Sequence, residues 1–273
     1  LHARRPDFFE LKGTTEMKNG SHDVHYHGRA SLEKNPLGSM ARSIIASLGL
    51  RLTRISMVPV GADLLLDLTR YLPSNRLRTI FDVGANIGQT AVPFAQTFPG
   101  ATIYSFEPAS DTYRVLMENI VKYENIRGIN IALGEKEGIS KIYHQRSSGW
   151  NSLAEQVNKP SEIGTFEEVK ITTLSIFCQQ NGVDQIDLLK MDAEGYEKNI
   201  LRGASDLMSS GKISYITSEV GLDSGDERHT NFFELSRMLN DFRFVPVAIY
   251  DQKVKPDLLG SSYANALFAY APK

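Results

Sequence analysis

A single cysteine, Cys178, stands among 273 residues, which excludes an internal disulfide framework and a multi-cysteine zinc site. A reducing compartment fits that scarcity. Dense lysine or arginine blocks are also missing, and 30 basic against 32 acidic side chains leave a formal net charge of −2. The basic face that a nucleic-acid partner requires is therefore absent from the composition. No apolar run reaches the length of about 20 residues needed to cross a bilayer. The nearest, residues 44–66, is interrupted by Arg51, Arg54 and Asp63. No apolar run follows Arg4 and Arg5 either, so the N-terminus does not read as a secretory signal and the default address is the cytoplasm. No fixed-period repeat appears, and oligomeric state leaves no signature.

What is present is ordinary for a globular chain: 41% hydrophobic and 23% charged residues, enough for one substantial core. Residues 1–40 differ from the rest. They hold four of the six histidines, His2, His22, His25 and His27, and no sustained hydrophobic period. They are read as a flexible polar tail, part of which can be added sequence or lie upstream of a start at Met40. Closely spaced His22, His25 and His27 also have the makings of a metal tract.

Helical periodicity begins at Ala41, with Ile44, Ile45, Leu48 and Leu52 on one face, and a second amphipathic stretch covers 62–72 before Pro73. Residues 41–75 are expected to form helices packed on the domain that follows. From Thr79 strand-like and helix-like segments alternate. Strands are expected at 79–83, 101–106, 129–133, 186–191 and 213–220, with helices at 88–96, 110–123, from 196, and at 232–239. The stretches 242–250 and 264–270 supply a closing strand pair. Alternation of this kind implies an α/β fold with a mostly parallel, doubly wound sheet over 76–273. Between 138 and 177 the alternation breaks. Extra strands at 141–144 and 169–171 flank a polar loop with Trp150, Asn151 and Ser152, a lid-like insertion.

Ligands of doubly wound folds sit beyond the carboxyl ends of the strands. The first such turn here is Asp82-Val83-Gly84-Ala85-Asn86-Ile87-Gly88. Gly84 permits close backbone approach, and Gly88 opens the next helix, whose free N–H groups favour an anionic group. The dinucleotide fingerprint would need glycine at 86 and 89, where the chain has Asn86 and Gln89. Glu107 ends the second strand in Phe106-Glu107-Pro108, about 20 residues on, where an acid accepts hydrogen bonds from ribose hydroxyls; helix capping is the alternative. Lys190-Met191-Asp192-Ala193-Glu194-Gly195-Tyr196-Glu197 closes the strand at 186–191. Asp192 and Glu194 there can orient an acceptor hydroxyl, take its proton or hold a hard cation, and Lys190 can steady negative charge on the acceptor oxygen. Capping by Asp192 and a dipole role for Glu194 are the plainer reading.

Taken in order, these motifs, with Asn130-Ile131-Ala132-Leu133-Gly134 between them, resemble the FkbM family of methyltransferases from about Thr79 to Tyr270. The resemblance implies a Rossmann-like class I methyltransferase fold, S-adenosylmethionine as donor and O-methylation of a hydroxyl on a sugar, glycan, glycolipid or secondary metabolite. By that resemblance Asp82, Gly84, Ala85, Asn86 and Gly88 cradle the methionine end, Glu107 meets the ribose, and Asn130 to Leu133, with Ala132 and Leu133 among them, lie along the adenine. Residues 1–40 fall outside it.

Methyl transfer from a sulfonium needs an in-line approach and a sink for the acceptor's proton. Asp192 and Glu194 are the expected groups, assisted or replaced by a divalent metal for which the sequence offers no dedicated ligand set. Glu219 is a second-tier choice. His144 and His229 have suitable intrinsic pKa values but read as structural or solvated. Glu107→Ala and Gly84→Val are expected to abolish cofactor binding with the fold largely intact. An NAD(P)-dependent Rossmann oxidoreductase is the rival enzyme, yet none of the 11 tyrosines has lysine four residues on. A cofactor-binding module without turnover is the rival that is not an enzyme.

Overall fold

The computed structural model describes residue 47 and residues 54–72, 76–145, 151–153, 163–223, 226, 228–254 and 261–272. The tail at 1–40, all but residue 47 of the helix expected over 41–52, and Trp150 lie outside these residues. The chain divides into two compact units, Leu1–Val58 and Pro59–Lys273. In the first, Ile55–Met57 form a single 3-10 turn.

Among the described residues of the second unit, the main sheet has seven strands. In chain order they are β1 (Thr79–Val83), β2 (Thr102–Phe106), β3 (Ile126–Ile129), β8 (Ile186–Met191), β9 (Ile213–Gly221), β10 (Phe244–Val254) and β11 (Ser261–Tyr270), and they lie side by side as β10-β11-β9-β8-β1-β2-β3. The first five are mutually parallel. β11 runs antiparallel to β9 and inserts between it and β10. The expected C-terminal pair is therefore present, with the last strand inside the sheet and the next-to-last at its edge.

Successive residues of β1 point to opposite faces, as pleating requires. Ile80 joins one core cluster with Phe94, Ile103 and Leu116. Phe81 and Val83 join the other with Phe106, Phe177 and Leu189. Burial on both faces is what a parallel sheet under two helical layers demands. The helices are α1 (Leu64–Tyr71), α2 (Ala91–Thr97), α3 (Ser110–Ile120), α4 (Leu174–Asn181), α5 (Glu197–Arg202), α6 (Ser205–Ser209) and α7 (Phe232–Asp241). Asp63 caps α1, accepting from the Leu66 N–H at 2.8 Å. Within that helix buried Asp67 accepts from the Tyr250 hydroxyl at 3.0 Å, which ties α1 to β10. Among the described residues no helix is long and apolar enough to cross a membrane.

Two local expectations need correction. The helix expected from residue 88 begins at Ala91, because Asn86 and Gly88 hold φ of 48° and 94° and cannot sit in a right-handed helix. A Cβ on Gly88 would lie 3.1 Å from Leu116 Cδ1, so this glycine admits the close approach of α3. The strand expected at 129–133 is two strands. β3 ends at Ile129, and Ala132–Leu133 (β4) turns away to pair with β7 (Ile163–Thr172). The break falls at Asn130, whose side-chain amide donates to the Glu107 and Pro108 carbonyls, each at 2.9 Å.

The insertion builds a second sheet, ordered β4-β7-β5-β6, with β5 at Gly138–Gln145 and β6 at Asn151–Leu153. β5 and β7 extend the strands expected at 141–144 and 169–171 and pair antiparallel. Ile142 and Val169 bury its inner face in the core that holds Phe81 and Phe106.

Candidate active site

Chain order reverses between β1 and β8: β2 and β3 lie to one side, β9 to the other. A crevice must open beyond the carboxyl ends of the central strands at such a switch point. The cavity found there is walled by Gly84 and Asn86 after β1, Glu107 and Pro108 after β2, and Asp192 and Glu194 after β8. Ile131, Ala132 and Leu133 close one side, joined by Ile142 of the inserted sheet and by Tyr196.

The β1 turn is held by backbone hydrogen bonds. The Gly84 and Ala85 N–H groups both donate to the Phe106 carbonyl, at 3.1 and 3.0 Å. Gly84 adopts φ of 70°, and a Cβ built on it would stand 1.9 Å from the Asp192 carbonyl oxygen. Glycine is required because the β8 loop crosses at backbone contact. The expectation for Gly84→Val is corrected accordingly: its cost falls first on the fold.

Glu107 joins this turn to the next. Oε2 accepts from the Asn86 N–H and Oε1 from the Ala109 N–H, both at 3.0 Å. Each oxygen of an ionised carboxylate offers about two lone-pair directions, so each keeps acceptor capacity beyond these bonds, and Glu107 lines the cavity. Burial raises its carboxyl to about 7 against those two backbone donors, which lower it. A diol bringing two hydroxyl donors suits this acceptor.

Asp82 and Lys190 are register partners on β1 and β8, and parallel pairing sets their side chains together. Lys190 Nζ lies 3.0 Å from Asp82 Oδ1, 3.8 Å from Asp192 Oδ2 and donates to the Gly84 carbonyl at 3.2 Å. Burial alone would depress this ammonium, but Asp82 and Asp192 outweigh it and hold the group above its ordinary range. Lys190 is thus a fixed cation. The pair lies beneath the cavity: Asp82, Lys190, Ala85 and Gly88 are not among its lining residues. Asn86, Gly84, Glu107, Ala132, Leu133, Asp192 and Glu194 are.

The β8 loop has its own clamp. Glu194 and Gly195 hold φ of 53° and 91°. Buried Glu197 accepts from the Ala193 and Gly195 N–H groups at 2.9 and 3.2 Å, and from the Thr230 hydroxyl at 2.5 Å. It shapes the loop that presents Asp192 and Glu194 to the cavity.

Beside it stands a charge network assembled from distant segments. Arg228 grips Glu194 with two nitrogens, Nη2 donating to Oε1 at 2.7 Å and Nε donating to Oε2. Buried His229 sets Nδ1 2.6 Å from Asp226 Oδ2 and Nε2 3.1 Å from Glu219 Oε2, and stacks on Tyr263 with centroids 4.7 Å apart. Burial would lower its pKa, but the two carboxylates prevail and lift it to about 9. Asp226, Arg228 and Tyr263 were not singled out from the sequence, since nothing local marks them. Glu219 was, as a second-tier group, and His229 was read as structural or solvated. Cys178 is buried, with its thiol pushed up to about 12 mainly by that burial, and takes no part.

A seven-stranded sheet ordered in this way, with an acid at the second strand's end and a cavity at the switch point, defines a Rossmann-like class I methyltransferase fold. Residues 82–246 match the Methyltransferase FkbM domain, more than half of the chain, and the protein belongs to that family. Three characterised relatives are similar to it. They are 2-O-methyltransferase NoeI of Sinorhizobium fredii, 25% identical with 50% of this chain and 61% of the relative covered; 31-O-demethyl-FK506 methyltransferase FkbM of Streptomyces tacrolimicus, 27% identical with 46% and 59% covered; and hexuronic acid methyltransferase AglP of Haloferax volcanii, 26% identical with 54% and 58% covered. The chain thus spans less than two thirds of the length of each. A crystal structure of methyltransferase FkbM from Methylobacillus flagellatus aligns with a TM-score of 0.47 at 16% identity, covering 74% of this chain and 46% of that one.

Proposed function

We propose that the protein is an S-adenosylmethionine-dependent O-methyltransferase acting on a hydroxyl of a sugar, glycan or secondary metabolite. The observation that carries this reading is Glu107, a buried acid at the end of β2 whose two oxygens each hold one backbone N–H and which lines the switch-point cavity. Its remaining acceptor capacity suits a ribose, and the apolar wall of Ile131, Ala132 and Leu133 suits a flat base. Membership of the FkbM family and the hydroxyl-methylating names of NoeI and the Streptomyces relative support the same choice. AglP's name favours a sugar acid among acceptors.

The donor, when bound, supplies an activated methyl group on sulfur. This chain's residues then have three tasks. Gly84, Asn86 and Glu107 fix the donor by short contacts on a rigid turn. Asp192, one-third exposed and lining the cavity, takes the proton that leaves the acceptor hydroxyl as the new C–O bond forms and the C–S bond breaks. Lys190, 3.8 Å from Asp192 and locked to Asp82, is a positioning residue that keeps Asp192 aimed. Glu194 serves less well as a base, because Arg228 occupies both its oxygens.

Calorimetry with S-adenosylhomocysteine tests the reading. Glu107→Gln keeps a side chain of equal size and should weaken binding about 100-fold, the worth of two hydrogen bonds to a charged group. Glu107→Ala should weaken it further. Unchanged affinity in folded variants would remove Glu107 from the donor site and the reading with it.

A further inference from the structure

We infer that Glu194, Glu219 and His229 form a binding site for one divalent transition-metal ion, with Asp226 orienting the imidazole. The three ligand atoms, one from each side chain, lie within 4.8 Å of one another. Two ligands each about 2.1 Å from one ion stand no more than about 4.2 Å apart, so binding draws the three side chains slightly together. The binding site does not depend on the methyl-transfer reading; only the role suggested for the ion does.

The histidine carries the argument. Its Nδ1 is engaged by the Asp226 carboxylate at 2.6 Å, which orients the ring and aims Nε2 at Glu219. Nε2 is buried and has no aligned hydrogen-bond partner, although a Glu219 oxygen is only 3.1 Å away. A proton on Nε2 holds the place between that nitrogen and Glu219 in the metal-free protein, and a metal ion that displaces it meets the same two atoms. Carboxylate–histidine–metal relays have this form, the outer carboxylate setting tautomer and ring orientation. Stacking on Tyr263 fixes the ring plane.

Charge agrees. The five acids Asp82, Asp192, Glu194, Glu219 and Asp226 outnumber Lys190, Arg228 and the His229 imidazole here, and Lys190 is spent chiefly on Asp82. One imidazole nitrogen with two carboxylates favours Mn2+, Co2+ or Zn2+ over Mg2+ or Ca2+. Arg228 is the competitor, since it grips both oxygens of Glu194. Glu194 also lines the cavity beside Asp192. A cation held there stands next to the proposed acceptor hydroxyl and lowers its pKa.

The test is metal binding without donor or acceptor, on the full chain carrying alanine at His2, His22, His25 and His27 so that the tail offers no imidazole. Chelator-treated protein is titrated with Mn2+, followed by electron paramagnetic resonance, then with Co2+, followed by its visible absorption. One saturable equivalent is expected. Asp226→Asn should lower affinity about 10- to 100-fold, and His229→Ala or Glu219→Gln should abolish it. Arg228→Ala should raise it, because a competing cation is gone; a network of ion pairs alone predicts no uptake in any variant. No saturable binding at millimolar Mn2+, or binding indifferent to Asp226→Asn, His229→Ala and Glu219→Gln, overturns the inference. Either result leaves the Glu107 calorimetry to be judged on its own.

Discussion

The two halves of the cavity rim are built on different principles. The half after β1 and β2 rests on backbone donors: the Gly84 and Ala85 N–H groups donate to the Phe106 carbonyl, and the Asn86 and Ala109 N–H groups to the Glu107 carboxylate, over a span of 26 residues. The half after β8 and β9 is a side-chain device, in which Glu194 meets Arg228 across 34 residues of chain and Glu219 meets His229 across 10. Backbone contacts tolerate almost no added volume, whereas a charge network can exchange partners. A rim so divided suits one half to a ligand that never changes and the other to a proton and a substrate that do.

The strongest way to break that contrast is Gly84→Val. A Cβ 1.9 Å from the Asp192 carbonyl, at φ of 70°, forces the two halves apart. Stability should fall by about 3 kcal/mol or more, read as a lower urea midpoint; an unchanged midpoint would show the β8 loop to be freely displaceable. Asp192→Asn strikes the other half alone. Turnover should drop about 100-fold with donor affinity within a few fold of wild type, and equal losses in both would make Asp192 a loop residue instead of a base.

Next in size is a pH effect confined to the backbone half. Burial lifts Glu107 from 4.5 to about 7, so the folded protein holds a proton there that the unfolded chain releases between those values. Its contribution to stability is therefore present below about 4.5 and lost as pH rises through about 7. A diol prefers the carboxylate, so donor affinity runs the opposite way and should fall about tenfold per pH unit below about 7. Calorimetry in two buffers of different ionisation enthalpy checks this, because binding near pH 6 must then release a proton. Smallest is Asn130→Ala, which frees the Glu107 and Pro108 carbonyls from hydrogen bonds of 2.9 Å. A loss of about 1 kcal/mol in stability and a several-fold weaker donor are expected, read by the same denaturation and calorimetry.

Legibility followed the same division. Asp82 to Gly88, Glu107 and 190–197 could be read because each lies at the end of an apolar strand, and strand ends of a parallel sheet converge. The turn's inner workings could not. Gly84 answers to Asp192, 108 residues away, and Gly88 to Leu116. Asn130 looked like the middle of a strand and is the hinge that splits it. His229 looked like a lone histidine because Asp226 and Arg228 carry no periodicity, and Glu219 and Tyr263 lie on other strands.

By itself the sequence determined the strand–helix alternation, the doubly wound sheet with its closing pair, and the family, since hydrophobic period and short motifs are properties of neighbours along the chain. Only the tertiary structure decided which acids face the cavity and which lie beneath it. Asp82 and Lys190 pair because β1 and β8 align them in register, and Glu194 meets Arg228 and His229 because the β8 and β9 ends converge. Burial and proximity, which set each group's charge and therefore its chemistry, exist only once the sheet has formed.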